Sequence, residues 1–237
     1  MSRASEFDRH AETYDDDLNR ALSVSGENKE YFARQRVRWL KDCLNRLALR
    51  PRAVLDYGCG SGDTACWLRE LLQVDSILGV DVSVRSLERA RARYASSHCR
   101  FLTFAEYQPD ESIDLVYCNG VFHHIPPPQH DSAIAYIHRS LRPGGIFALW
   151  ENNPWNPGAR YVMSRCPFDR KAVTITPPRA AKLLAQGGFE ILSLDYQFFF
   201  PRSLSYFRFL ESRLSRFPVG AQYQVLGRKP GADRGAG

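Results

Sequence analysis

At 237 residues, with 44% apolar and 24% charged residues, the chain has the size and balance of one soluble domain with a full core. No apolar run reaches the roughly 20 residues that cross a bilayer, so a transmembrane helix is not expected. The net charge of +6 is carried mostly by arginine. It leaves nucleic acid, an anionic membrane face and acidic substrates open beside a plainly solvated surface, but no basic block or nucleic-acid motif accompanies it.

Residues 1–27 are polar and acidic around Tyr14-Asp15-Asp16-Asp17 and read as a loose arm. The start lacks the apolar core of a signal peptide, which makes the expected location cytoplasmic. From residue 28 to 49, Val37, Leu40, Leu44 and Leu47 fall at helical spacing, and Pro51 ends the helix. Arg36 and Arg38 lie near Tyr31-Phe32. Strands are then expected at 53–57, 76–81, 100–104, 113–118 and 145–151, alternating with helices at 63–72, 84–96 and 129–141. The connection 105–112 is short. Residues 152–176 read as a long irregular segment, broken by Pro154, Pro157, Gly158 and Pro167, of the kind that forms lids and binding loops. Pro177-Pro178 opens a helix that Gly187-Gly188 closes. Strands at 189–200 and 221–227 flank a helix at about 202–217, striped by Leu204, Phe207, Leu210, Leu214 and Phe217 and edged by Arg202, Arg208, Arg213 and Arg216. The stripe fits either packing on a sheet or contact with an apolar acceptor or membrane surface. The Gly-rich tail 230–237 reads as disordered. The six cysteines include no C-x-x-C pair and read as free thiols, with no metal site expected.

The chain is organised around Val54-Leu55-Asp56-Tyr57-Gly58-Cys59-Gly60-Ser61-Gly62-Asp63. An apolar run ends in an acid, glycine follows at every second position, and a helix opens. Glycine lets a ligand approach the main chain, and helix-start amides favour a negative group. The spacing is G-x-G-x-G. A dinucleotide fingerprint, G-x-G-x-x-G, would need its third glycine where Asp63 stands, which argues against a nicotinamide oxidoreductase. A second strand, Gly79-Val80-Asp81-Val82-Ser83, ends in an acid where a ribose-binding carboxylate belongs. Asp114-Leu115-Val116-Tyr117-Cys118-Asn119-Gly120-Val121-Phe122-His123-His124 and Leu141-Arg142-Pro143-Gly144-Gly145 follow in order.

From about Ala53 to Trp150 these stretches resemble the Rossmann-like (class I) S-adenosylmethionine-dependent methyltransferases, small-molecule type. The resemblance implies an α/β fold with a seven-stranded, mostly parallel sheet in the order 3-2-1-4-5-7-6, strand 7 antiparallel, and helices on both faces. Residues 1–50 would then be an arm and helix covering the cofactor site, 51–229 the methyltransferase domain, and 105–112 the place where the family's usual helix is trimmed or missing. S-adenosylmethionine is the implied cofactor. Asp56 and the backbone of Gly58, Cys59, Gly60 and Gly62 would hold its methionine part, and Asp81 with Val82 its ribose. Ala105 and Glu106 would meet adenine, Asn119 and Gly120 would offer backbone contacts, and Tyr14 would close over the bound molecule. Blander roles stay open for several of these: a frayed end for Tyr14, a cap for Asp56 or Asp81, an exposed acid for Glu106. Arg36 or Arg38 would be the arginine to reach the methionine carboxylate, with a solvated surface arginine as the alternative.

Methyl transfer from a sulfonium needs alignment and a dry site, with a base only if the nucleophile is a hydroxyl. His123, His124 and Glu151 stand at the strand ends where such a base belongs, and packing or loop hydrogen bonding is the alternative for each. The expected activity is methylation of a small or lipid-like molecule at a hydroxyl. RNA methylation and a non-catalytic cofactor-binding subunit are the alternatives. Nucleic acid is disfavoured as a partner, and peripheral membrane contact stays open.

Overall fold

The computed structural model describes Asp8 and residues 14–169 and 171–231. In Val54-Leu55-Asp56-Tyr57 successive side chains point to opposite faces, as the strand period of two requires. Leu55 and Tyr57 enter one core with Ile134, Ile137, Ala180 and Leu184. Val54 enters a second core with Val37, Leu40, Leu44, Leu68 and Leu87. Both faces are covered, which is why the strand reads as a nearly continuous apolar run.

The strands are β1 (Ala53–Tyr57), β2 (Ser76–Asp81), β3 (Cys99–Thr103), β4 (Ile113–Asn119), β5 (Leu141–Asn152), β6 (Glu190–Gln197) and β7 (Gln222–Arg228). They form one sheet in the order β3-β2-β1-β4-β5-β7-β6. The pairs from β3 to β5 are parallel, and β7 runs antiparallel between β5 and β6. The chain reverses between β1 and β4, and the C-terminal strand ends around that switch leave the crevice in which ligands of such sheets bind.

The helices are α1 (Tyr14–Leu22), α2 (Lys29–Arg46), α3 (Asp63–Leu72), α4 (Val84–Tyr94), α5 (His130–Ser140), α6 (Pro157–Arg165), α7 (Pro177–Gln186) and a single turn, α8 (Glu211–Leu214). Asn28 caps α2 by accepting from the Tyr31 amide at 2.9 Å, and Ser83 caps α4 by accepting from the Ser86 amide at 3.1 Å. Residues 104–112 hold turns and no helix. Lys229 closes the domain: its buried ammonium donates to Glu111 and to the carbonyls of His138 and Leu141, satisfying orphan acceptors at the end of α5.

Three expectations change. The arm is not loose over its second half. Tyr14–Leu22 is helical, and Lys29 pairs with both Asp15 and Asp63, tying α1 to the start of α3. Residues 152–176 are not irregular throughout, because they contain α6. Pro157 sits at the first helical position, where no amide is needed, and Asn156 accepts from the Ala159 amide at 2.8 Å. The segment after β6 is not a regular amphipathic helix. Residues Arg202–Leu210 form a tighter helix with a non-helical break at Leu204, followed by α8. The Glu211 carboxylate captures the amides of Phe199 and Phe200, while Arg208 reaches Glu27. The segment is therefore tied to the α1–α2 connection through Arg208, and Leu204, Phe207 and Phe217 of the stripe stay exposed. The tail at 232–237 lies outside the described residues.

Candidate active site

A cavity of about 880 Å³ opens at the C-terminal ends of β1, β2 and β4. The glycine loop forms its floor. The amides of Gly58 and Cys59 both donate to the Val80 carbonyl, at 2.8 and 3.0 Å, so the loop is stitched to β2. Gly58 has φ +76°, and a Cβ there would stand 2.3 Å from a Val121 methyl. Gly60 has φ +51° and nothing within 4 Å of where its Cβ would be, so its backbone faces open space that a ligand can approach. Gly58→Ala is expected to destabilise the protein by roughly 2–4 kcal/mol, combining left-handed strain with overpacking. Chemical denaturation reads this directly, and an unchanged midpoint would show that the loop yields freely.

Four expected cofactor residues on the loop and β1, Asp56, Gly58, Cys59 and Gly60, line the cavity, as do Tyr14, Asp81, Val82, Asn119 and Gly120. Asp56 is buried, and its Oδ2 has no hydrogen-bond partner. Burial first, and the neighbouring Asp81 second, push its carboxyl up to about 7 against the opposing pull of Arg36. A buried acceptor with no donor is what a ligand ammonium would satisfy. Across the cavity wall Arg36 donates to the Tyr117 hydroxyl at 3.2 Å and to Gln222 at 3.0 Å. Of the two arginines considered, Arg36 lines the cavity and Arg38 is exposed on the surface. Asp81 spends one acceptor position per oxygen on the protein: Oδ2 takes the Gly60 amide and Oδ1 the Ser83 amide, both at 2.8 Å. Each oxygen retains a second lone pair.

Three expected residues fall elsewhere. Gly62 caps α3 with φ +77° and packs against Phe101 and Ala90, outside the cavity lining. Ala105 and Glu106 also stay outside. Glu106 accepts from the Thr103 amide at 2.7 Å and closes the turn after β3, so its carboxylate is spent on the short connection itself. The wall there is aromatic instead. Phe104 and Tyr136 line it, with ring centroids 5.6 Å apart, and Tyr57 lies 4.8 Å from Phe104. A flat base fits such faces by stacking.

Sequence reasoning missed Asp63 and Lys29. Asp63 accepts from Lys29 at 2.6 Å, Ser61 at 2.6 Å and Tyr94 at 2.8 Å. Burial alone would raise its carboxyl, but these donors hold it below the usual carboxylate range. The signal that was available is the helix-start position of Asp63.

The three catalytic candidates separate. His123 and Glu151 are buried behind the wall, with His123 Nδ1 2.5 Å from Glu151 Oε2. Glu151 also accepts from the Phe122 amide at 2.8 Å. Burial would lower the His123 imidazole, but Glu151 and Asp169 outweigh it and raise it to about 10. Held between two carboxylates and set behind the wall, this imidazole does not reach an acceptor in the cavity. His124 alone of the three lines the cavity. Its Nε2 lies 3.4 Å from Asp169 Oδ1.

Glycine loop, the acid that ends β2, the partnerless buried acid and the seven-stranded sheet together define a class I S-adenosylmethionine-dependent methyltransferase domain. Residues 54–145 match the family model described as a methyltransferase domain, and over that domain the chain belongs to this class, with S-adenosylmethionine as cofactor. A trans-aconitate 2-methyltransferase of Methylobacterium nodulans is 32% identical over 65% of this chain and 57% of its own length. The cyclopropane-fatty-acyl-phospholipid synthase of Escherichia coli K12 is 32% identical over 46% of this chain and 29% of its own. The chain spans about half the length of the curated relatives it matches. Among solved structures, a possible histamine N-methyltransferase of Thermotoga maritima superposes with a TM-score of 0.64 at 22% identity, covering 94% of this chain and 97% of that one, a likeness of fold.

Proposed function

We propose that the chain transfers the methyl group of S-adenosylmethionine to a hydroxyl oxygen of a small or lipid-like molecule. The observation that carries this reading is one continuous cavity of about 880 Å³, lined by the loop and acids described above together with Tyr14, Leu18, Val121, His124, Ile125 and Pro126. When bound, the cofactor supplies an electrophilic methyl on a sulfonium. The chain's part is to hold and align. Asp56 meets the ammonium and Arg36 the carboxylate of the methionine portion, Asp81 takes the ribose hydroxyls, and Phe104 and Tyr136 flank the base. The helix α1, anchored through Lys29, roofs the site and excludes water, with the Tyr14 ring stacked 4.4 Å from Phe168. His124 orients the acceptor from the wall.

The acceptor class draws support from two sides. The relatives are named for trans-aconitate and for a fatty-acyl phospholipid, one small and one lipid-like. The segment beside the roof exposes Tyr206 by 83% and Phe209 by 64%, surface suited to an apolar molecule or a lipid face. Among the described residues, no helix is long and apolar enough to cross a membrane.

The test is methyl-labelled cofactor offered with metabolite extract, lipid vesicles and total RNA in parallel. Label is expected in the small-molecule or lipid fraction, in a form that survives alkali, which hydrolyses methyl esters, and that hydriodic acid releases as methyl iodide at a temperature that leaves N-methyl groups intact. Label confined to RNA would overturn the acceptor class. Tight cofactor binding with no transfer to any fraction would support a binding subunit instead.

A further inference from the structure

We propose that His123, His124 and Asp169 form a binding site for one divalent first-row transition-metal ion at the cavity wall. One ligand atom from each lies within 4.8 Å of the other two. Asp169 Oδ1 stands 3.5 Å from His123 Nε2 and 3.4 Å from His124 Nε2. These separations are long for hydrogen bonds and near what two donors show across a shared ion with ligand distances of about 2.0–2.2 Å.

A second observation points to the same missing occupant. Asp169 Oδ1 is buried with no hydrogen-bond donor, and its side chain is only 6% exposed. Its nearest groups are the two imidazoles, and one divalent cation would complete all three where a proton bridges only two of them.

The surroundings are built as a metal site requires. The Glu151 carboxylate holds His123 through Nδ1 and is itself fixed by the Phe122 amide, which leaves Nε2 turned toward Asp169. This is the carboxylate–histidine support that orients imidazole ligands. The Val173 amide donates to the His123 carbonyl at 2.9 Å, so the backbone after Asp169 is pinned against the histidine pair. Two imidazoles and one carboxylate suit iron, cobalt, manganese or zinc, and offer too few oxygens for calcium or magnesium. Three protein ligands also leave positions open for another molecule.

His124 lines the cavity, so an ion that it holds would lie at the cavity wall. The ion's consequence for catalysis rests on the transfer reading above: an acceptor hydroxyl bound to the ion would shed its proton near neutral pH. Ion binding itself does not depend on that reading.

The experiment uses chelator-stripped full-length protein, without cofactor or acceptor, titrated with Co²⁺ and followed by its visible d–d bands, then with Zn²⁺ in competition. One equivalent should bind saturably. His124→Ala and Asp169→Ala should each abolish the stoichiometric band. Glu151→Gln, which removes only the support, should weaken affinity by about 10- to 100-fold. Circular dichroism identifies folded variants, and His124→Ala gives the decisive reading if Asp169→Ala fails to fold. The proposal is overturned by wild type with no saturable site, by one-to-one binding that survives His124→Ala, or by a thiolate charge-transfer band that assigns the ion to a cysteine. Because no methyl transfer is measured, failure here leaves the transfer reading standing, and failure of transfer leaves this one.

Discussion

Asp81→Ala is expected to weaken S-adenosylmethionine binding by roughly 30- to 150-fold, the loss of about 2–3 kcal/mol for hydrogen bonds to a charged acceptor. The carboxylate has two tasks. It holds the loop through the Gly60 amide and the chain after β2 through the Ser83 amide. Asp81 lines the cavity, and its remaining lone pairs are the acceptors that ribose hydroxyls would take. The fold should survive, because Ser83 and not Asp81 caps α4. Asp8 adds a further tie at this corner, accepting from the Ser83 hydroxyl at 2.6 Å. Titration calorimetry on a variant with a native dichroism spectrum measures the effect. Wild-type affinity in that variant would remove Asp81 from the binding site.

The second large effect is a pH dependence set by Asp56. Without ligand its carboxyl titrates near 7, because burial and Asp81 disfavour the anion more than Arg36 favours it. The unfolded chain gives up the same proton near the ordinary value of 3.8. The folded state therefore binds the extra proton, and the stability this residue contributes falls as pH rises from about 4 through 7. Cofactor binding runs the other way. The ammonium of the methionine portion needs the anion, so the proton must leave on binding. Affinity should rise about tenfold per unit from roughly pH 5.5 to 7 and then level off. Asp56→Asn should bind weakly with this slope flattened. Calorimetry in buffers of different ionisation enthalpy counts the released proton, and a flat wild-type profile over that window would sink the assignment.

Much of the fold was legible because its signals are local. Apolar alternation over five to seven residues marks a strand whatever it pairs with, and Asn28 and Ser83 announce the helices they cap. Glu106 shows where locality fails. Its distance from β3 placed it beside the base, but the short connection bends back and Thr103 claims the carboxylate. The prolines at 154 and 157 look like breakers until the cap at Asn156 is seen to make Pro157 a helix start.

By itself the sequence determined the strand–loop–helix at Val54–Asp63, the acid at the end of β2 and hence the cofactor class, since glycine spacing and chain direction settle where a backbone can meet a ligand. Only the tertiary structure decided which side chains face that ligand. It sent His123 and Glu151 behind the wall and left His124 on it. It brought Lys29 to Asp63 across 34 residues, and Asp169 to the histidine pair from a different segment. These meetings depend on how helices cross the sheet and on which buried charges find partners, energies summed over the whole core that no short window of residues contains.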